Sequence, residues 1–333
     1  MNVSGISAPE SGGLVANKSP AIARPHGRAM DLCFRHLAGG MAALVGLLLI
    51  ATLAAIAWDS RLSIHTFGLG FLWSSEWNPV TGQFGALSFL VGTLVSSAIA
   101  MLLATPVSFG IAIFISELAP RRLKQPISSA VELLAAIPSI VYGLWGLLVF
   151  APAFAQVEPW INDHLGTLPG IGPLFQGPPM GIGMLTAGIV LAIMVLPFIT
   201  AIMRDVFIMT PAPLKESAYG LGCTTWEVSR RIILPYTRSA VTGGIFLGLG
   251  RALGETMAIT FVIGNSNTIS ASLLMPGASI PSVIANEFTE ATTPLYLSSL
   301  IYLGLVLFGI TLIVRLLAAW MLHSMKRGTP LRP

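Results

Sequence analysis

Pro211 to Arg238 reads PAPLKESAYGLGCTTWEVSRRIILPYTR. It is the longest polar, charge-bearing stretch lying between two strongly apolar ones. Pro213 suits the first turn of a helix, where a missing N–H removes no bond. Glu216, Ser217 and Ala218 continue that helix, and Gly222 permits the left-handed residue that ends it. Thr224 and Glu227 have the spacing of a capping box, so a second helix starts at once. Pro235 is expected to close that second helix, because an interior proline loses a hydrogen bond and clashes with the preceding turn. The stretch is therefore a helix–turn–helix between membrane spans rather than a span itself. An ordinary helical hairpin would read the same way.

The rest of the chain explains why spans lie on either side. Apolar residues make up 54% and charged residues only 10%, with a mean hydropathy of +0.80. Soluble domains carry about 25% charged residues, so this is an integral membrane protein of all-α class. Six apolar runs are long enough to cross about 30 Å of hydrocarbon. They are Ala38 to Trp58, Ala86 to Ile115, Ile127 to Phe150, Gly181 to Phe207, Ala240 to Ile263 and Leu297 to Met321. Pro106, Pro138 and Pro197 fall inside three of them and are read as kinks that serve packing. A cleaved signal peptide ending at Ala55-Ile56-Ala57 is the rival for the first run, but the long leader and overlong apolar core argue against it. Residues 1–29 are read as a flexible cytoplasmic tail, 30–85 as the first span with an outer loop, 86–321 as the transmembrane core and 322–333 as a second tail.

Net charge is +4 and the isoelectric point about 9.3, yet the basic residues form no patch for nucleic acid. They alternate with topology instead. One set of loops holds Arg121, Arg122, Lys124, Lys215, Arg230, Arg231 and Arg238 together with the basic residues of both ends, and the other set holds Arg61 alone. Positive loops mark the cytoplasm, so both termini and the 211–238 loop are expected inside. Cys33 and Cys223 both fall on that side, so no disulfide is expected, and their spacing suits no metal. No G-x-x-x-x-G-K-[ST] occurs, so nucleotide phosphates have no cradle here. No constellation of catalytic groups is present either, and the chain is read as no enzyme by itself.

Several residues inside the apolar runs stand out. Gly244-xxx-Gly248 and Gly250-xxx-Gly254 let helix backbones approach closely. Arg251 and Glu255 lie about midway along the fifth run and one helical turn apart, on one face. A charge at the bilayer centre costs about 2.5–3.5 kcal/mol on insertion scales, so the two are expected to pair and to face protein or water. They are read either as lining a substrate path, with Arg251 meeting an anion, or as a pair that fixes helix packing. Glu132 is read as favoured by a helix dipole. Trp73, Trp77 and Trp160 are read as interface anchors, and His65 and His164 as solvated.

The spacing Glu216-Ser217-Ala218, three residues, Gly222, nine residues, Ile232-x-Leu234-Pro235 resembles the EAA signature of ABC-importer permeases. Ser217 departs from it, since alanine is commoner there. Longer runs resemble the C-type permease subunit of bacterial phosphate-specific uptake systems: FGLGFLWSSEWNP (Phe67 to Pro79), PVSFGIAIFISELAP (Pro106 to Pro120), ELLAAIPSIVYGLWGLLVFAP (Glu132 to Pro152), KESAYGLGCTTWEV (Lys215 to Val228), GLGRALGETMAITFVIGN (Gly248 to Asn265) and ANEF (Ala285 to Phe288). The resemblance implies a type I ABC importer permease fold in the bacterial inner membrane. It implies that Glu216, Ser217, Ala218, Gly222, Ile232, Leu234 and Pro235 form a cytoplasmic loop that docks on an ATPase, and that Arg251 and Glu255 act in translocation. It also implies a second permease subunit as heterodimer partner, two ATPase subunits and a periplasmic phosphate-binding protein. No cofactor is implied. Phosphate follows from the resemblance only. Permeases for sulfate or molybdate, and an ATPase-independent secondary transporter or channel, are the alternatives.

Overall fold

The computed structural model describes residues 25–327. The expectation for residues 1–29 lies outside these except at 25–29, and that for 322–333 except at 322–327. Both described pieces are helical. The chain divides into two compact units, residues 1–52 and 53–333. The first carries the body of helix α1, Pro25–Asp59, whose stretch Met30–Asp59 is long and apolar enough to cross a membrane. The second unit holds the site.

It opens with α2 (Arg61–Phe67) and a hairpin of β1 (Trp77–Asn78) and β2 (Gln83–Phe84), in which Trp77 faces Phe84. Helix α3 (Leu87–Ile113) follows, then α4 (Arg121–Ala136), α5 (Ser139–Trp145), α6 (Ala151–Ala155) and α7 (Glu158–Leu165). The central helix is α8 (Met184–Ile208). After it come α9 (Ala212–Gly220), α10 (Thr225–Val228), α11 (Leu234–Leu253), α12 (Met257–Thr260), α13 (Ile280–Glu287) and α14 (Pro294–Arg327). The all-α expectation holds, with the small hairpin added.

Among the described residues, five helices are long and apolar enough to cross a membrane, and six if the bent pair Arg121–Ala136 and Ser139–Ala155 is one span. That pair corrects the expected third span. Its two arms meet at 87°, so Pro138 breaks the helix instead of kinking it. Ile137, forced toward extended geometry by the proline after it, has ψ of 130°. Pro106 and Pro197 lie inside α3 and α8, which run on through them.

Packing follows from side-chain size. Helix α8 is buried along its length through Ala187, Val190, Leu191, Met194, Val195, Ile199 and Met203. The Ser108 hydroxyl of α3 donates to its Leu196 carbonyl at 2.9 Å. A β-carbon on Gly248 would sit 2.7 Å from Ile199, and one on Gly244 2.9 Å from Ile202, so these two glycines set α11 against α8. The second expected pair does nothing similar, because a β-carbon on Gly250 would meet nothing within 4 Å.

A second core closes the opposite end of the bundle from the 211–238 loop. Phe71, Trp77, Phe84, Phe89, Tyr296 and Tyr302 are buried there, with Phe71 stacked on Tyr302 at 4.4 Å and Phe84 on Tyr296 at 5.3 Å. This corrects the expectation for Trp77. It is only 8% exposed, and its Nε1–H donates to Glu287 Oε2 at 2.7 Å, the same oxygen that accepts from the Tyr296 hydroxyl at 2.6 Å. Trp73 and Trp160 are exposed. The segment between α12 and α14 packs on this core. It contains α13, whose Ile280 N–H donates to Thr93 Oγ1 of α3 at 2.9 Å.

Candidate docking loop and intramembrane charges

The loop's turn is built by hydrogen bonds that its glycine makes possible. The Gly222 N–H donates to the Tyr219 carbonyl at 2.9 Å and the Cys223 N–H to the Ala218 carbonyl at 3.1 Å. This is the Schellman pattern, which needs a left-handed residue just past the helix. Gly222 has a φ of +85°. Thr224 then caps α10: its N–H donates to Glu227 Oε2 at 2.9 Å, and the Glu227 N–H donates back to Thr224 Oγ1 at 3.3 Å. The helix–turn–helix read from the residues is therefore what forms.

Its two faces differ. Ala218, Val228 and Ile233 are buried in the main core, with Ile232 packed against it. Glu216, Ser217, Gly222 and Pro235 are exposed and Leu234 is half-buried. Leu221, 86% exposed, and Trp226, 64% exposed, stand on the outer side. Pro235 does not end the second helix, contrary to expectation. Residues Thr225–Leu253 form one helix, in which Ser229–Ile233 makes a wide turn whose following residue, Leu234, donates to the Ser229 carbonyl. Widening to an i→i+5 bond displaces the carbonyl that the proline ring would strike in a regular helix.

Behind α9 lies a set of ion pairs. Lys215 Nζ is 2.6 Å from Glu117 Oε1, and it also donates to the Phe207 carbonyl at 3.3 Å. Arg204 pairs with Glu132 at 2.9 Å and with Asp205 at 2.7 Å. Glu132, read from sequence as a dipole-stabilised carboxylate, is thus the partner of a buried arginine on another helix. The only signal in the chain was that both charges lie toward the basic ends of their apolar runs, and two separate helices leave their contact unwritten.

Arg251 and Glu255 are placed differently from the reading above. Helix α11 stops at Leu253, so Arg251 occupies its last turn, where exposed carbonyl ends favour a cation. Glu255 lies in the break, and its Oε1 accepts the Ala258 N–H at 3.2 Å. Among the described residues no ion pair joins the two. The Arg251 guanidinium lies 5.4 Å over the Phe198 ring, and its Nε is buried without a hydrogen-bond partner. Across the break, Gly143 of α5 packs so closely that a β-carbon there would come 2.9 Å from the Met257 carbonyl. The sequence does not mark this stop, because Gly254 follows a helix already rich in glycine.

Residues 107–327 match the model of the family described as the binding-protein-dependent transport system inner membrane component. The phosphate transport system permease protein PstC of Xylella fastidiosa (strain 9a5c) is 55% identical over 298 residues, covering 89% of this chain and 92% of that protein. The protein of the same description from Haemophilus influenzae is 53% identical over 299 residues, covering 90% and 95%. A probable phosphate transport system permease protein PstC of Methanocaldococcus jannaschii is 35% identical over 285 residues, covering 84% and 89%. Among solved structures, a chain of a bacterial alginate ABC transporter, crystallised with an alginate pentasaccharide-bound periplasmic protein, aligns at a TM-score of 0.55 over 88% of this chain and 96% of its own, with 17% identity. That likeness shows a shared fold. With an ABC-importer permease fold and this kinship across most of its length, the chain belongs to the PstC family of binding-protein-dependent inner membrane transport components.

Proposed function

We propose that this chain is the C-type permease subunit of an importer that carries inorganic phosphate across the bacterial inner membrane by ATP-driven alternating access. The observation that carries the reading is the two-faced 211–238 loop: Ala218 and Val228 are rooted in the core, while Glu216, Leu221 and Trp226 face outward. An outward apolar pair, Leu221 in the anchored turn and Trp226 on the helix after it, suits a protein partner. Here the partner is an ATPase subunit, one of two, with a second permease and a periplasmic phosphate-binding protein completing the assembly. Both termini and the loop lie in the cytoplasm, as the basic residues of the alternate loops argue.

In the transport cycle, closure of the ATPases on ATP moves the docking loop and opens the substrate path to the periplasm. The receptor then delivers its anion. Arg251 receives it, because a half-buried arginine whose buried Nε–H is unmet at a helix break is a donor awaiting an acceptor. Glu255 holds the break in shape by capping α12. The relatives' description favours phosphate over sulfate or molybdate. The test is radiolabelled phosphate uptake by the complete transporter in proteoliposomes. Uptake is expected to need ATP and receptor, to resist excess sulfate, and to fail in Arg251→Gln while the subunits still copurify. Uptake without ATP, or normal flux in Arg251→Gln, refutes the reading.

A further inference from the structure

The five residues directly after α3, Phe114–Leu118, form another wide turn, closed by the Ala119 N–H donating to the Phe114 carbonyl at 2.7 Å. The turn carries Glu117. A lysine grips it from each side: Lys124 of α4 donates to the Ser116 carbonyl, and Lys215 of α9 pairs with Glu117. The Lys215 and Glu117 side chains keep only 17% and 8% of their exposure. We propose that Lys215 is a positioning residue, tying the docking helix α9 through Glu117 to α3 so that α3 carries the loop's movement to the opposite end of the bundle. This rests on the reading of that loop as the ATPase contact.

The route is continuous. Helix α9 joins α8 and α10 covalently, but it reaches α3 across this ion pair. The span from Leu87 to Leu118 is about 48 Å long at 1.5 Å per residue. At its far end Phe89 lies edge-on to Trp77 at 4.9 Å, and Thr93 accepts from the start of α13. One helix therefore touches both the docking loop and the aromatic cluster at the other end. A buried ion pair is seldom needed for stability alone, since apolar residues of similar volume usually serve as well or better. What it adds is a fixed length and direction, and here that link is the 2.6 Å contact.

The test uses the complete transporter in proteoliposomes and reads ATP hydrolysed per phosphate imported. Lys215→Met and Glu117→Gln are expected to raise that ratio on the order of tenfold, within the usual range of coupling between sites. Lys215→Arg and the exchanged pair Lys215→Glu with Glu117→Lys should return it toward wild type. The apolar double Lys215→Met with Glu117→Leu removes both charges and so avoids burying one alone. It should assemble yet stay uncoupled. Wild-type coupling in that double, or its failure to assemble, overturns the proposal, as does an exchanged pair that restores nothing. A wild-type transporter that imports phosphate without hydrolysing ATP would instead overturn the underlying reading.

Discussion

Replacing Gly222 tests whether the turn is held by backbone geometry alone. At a φ of +85° a β-carbon there would meet nothing within 4 Å, so packing contributes no penalty. What remains is the left-handed conformation, which costs a residue with a β-carbon about 1–2 kcal/mol. The alternative is to unwind the end of α9 and lose the bonds from Gly222 to Tyr219 and from Cys223 to Ala218, each worth about 0.5–1.5 kcal/mol. The two routes are close in energy. Gly222→Ala should therefore keep the turn but open it more often, and the amides of residues 222 and 223 should exchange about 5–30-fold faster, the factor that corresponds to 1–2 kcal/mol. Gly222→Asn should lose less, since asparagine visits this region more readily. Gly222→Val, stiff at χ1, should lose more and unwind the turn. Hydrogen exchange read by mass spectrometry on peptides spanning 218–228 gives the ranking, and the ATP consumed per phosphate should worsen in the same order. Exchange in Gly222→Ala equal to wild type, or asparagine faring no better than valine, refutes the argument.

Other substitutions probe other parts of the fold. Gly248→Ala should lower thermal stability in detergent by about 1–3 kcal/mol, the usual penalty for overpacking, whereas Gly250→Ala, facing open space, should leave the melting temperature unchanged. Glu287→Leu strands both the Trp77 Nε1–H and the Tyr296 hydroxyl, and at about 1–3 kcal/mol per unsatisfied buried group it should cause a larger loss than Tyr296→Phe, measured by the same melts. Glu158, 1% exposed and outside the spans, has its carboxyl pushed above the ordinary 4.5 by burial, with the Gly181 N–H pulling less strongly the other way. The folded state thus holds this proton to higher pH than the unfolded chain does. Stability from this group is greatest below 4.5 and declines as pH rises through the raised value. The melting temperature of wild type relative to Glu158→Gln should accordingly increase as pH falls from 7 toward 4.5, and a flat difference would refute the assignment.

The helix–turn–helix and most spans were legible because each rests on local chemistry: the glycine past α9, the Thr224–Glu227 cap, and apolar runs of bilayer length. What escaped depends on partners far along the chain or on exceptions to helix regularity. Trp77 looked like an interface anchor because its acceptor, Glu287, lies 210 residues away. The pairing of Arg204 with Glu132 and of Lys215 with Glu117 joins helices whose contact no periodicity records. Pro138 and Pro235 show why a proline alone is ambiguous. The first breaks its helix at 87°, while the second is absorbed by a widened turn. Arg251 and Glu255 stood out in the sequence, but their geometry did not, because the helix ends between them at Leu253.

Phe114–Leu118, Gly146–Phe150 and Ser229–Ile233 each thread an extra residue into a helix. In a helix of 3.6 residues per turn, one residue corresponds to about 100° of rotation. If the bulge at Ser229–Ile233 were to migrate along its helix, each residue it passed would swivel about the axis by that angle while both ends stayed put. Trp226 and Glu227 would then turn about the axis like teeth on a slipping gear, without α11 lifting from Ile199 and Ile202.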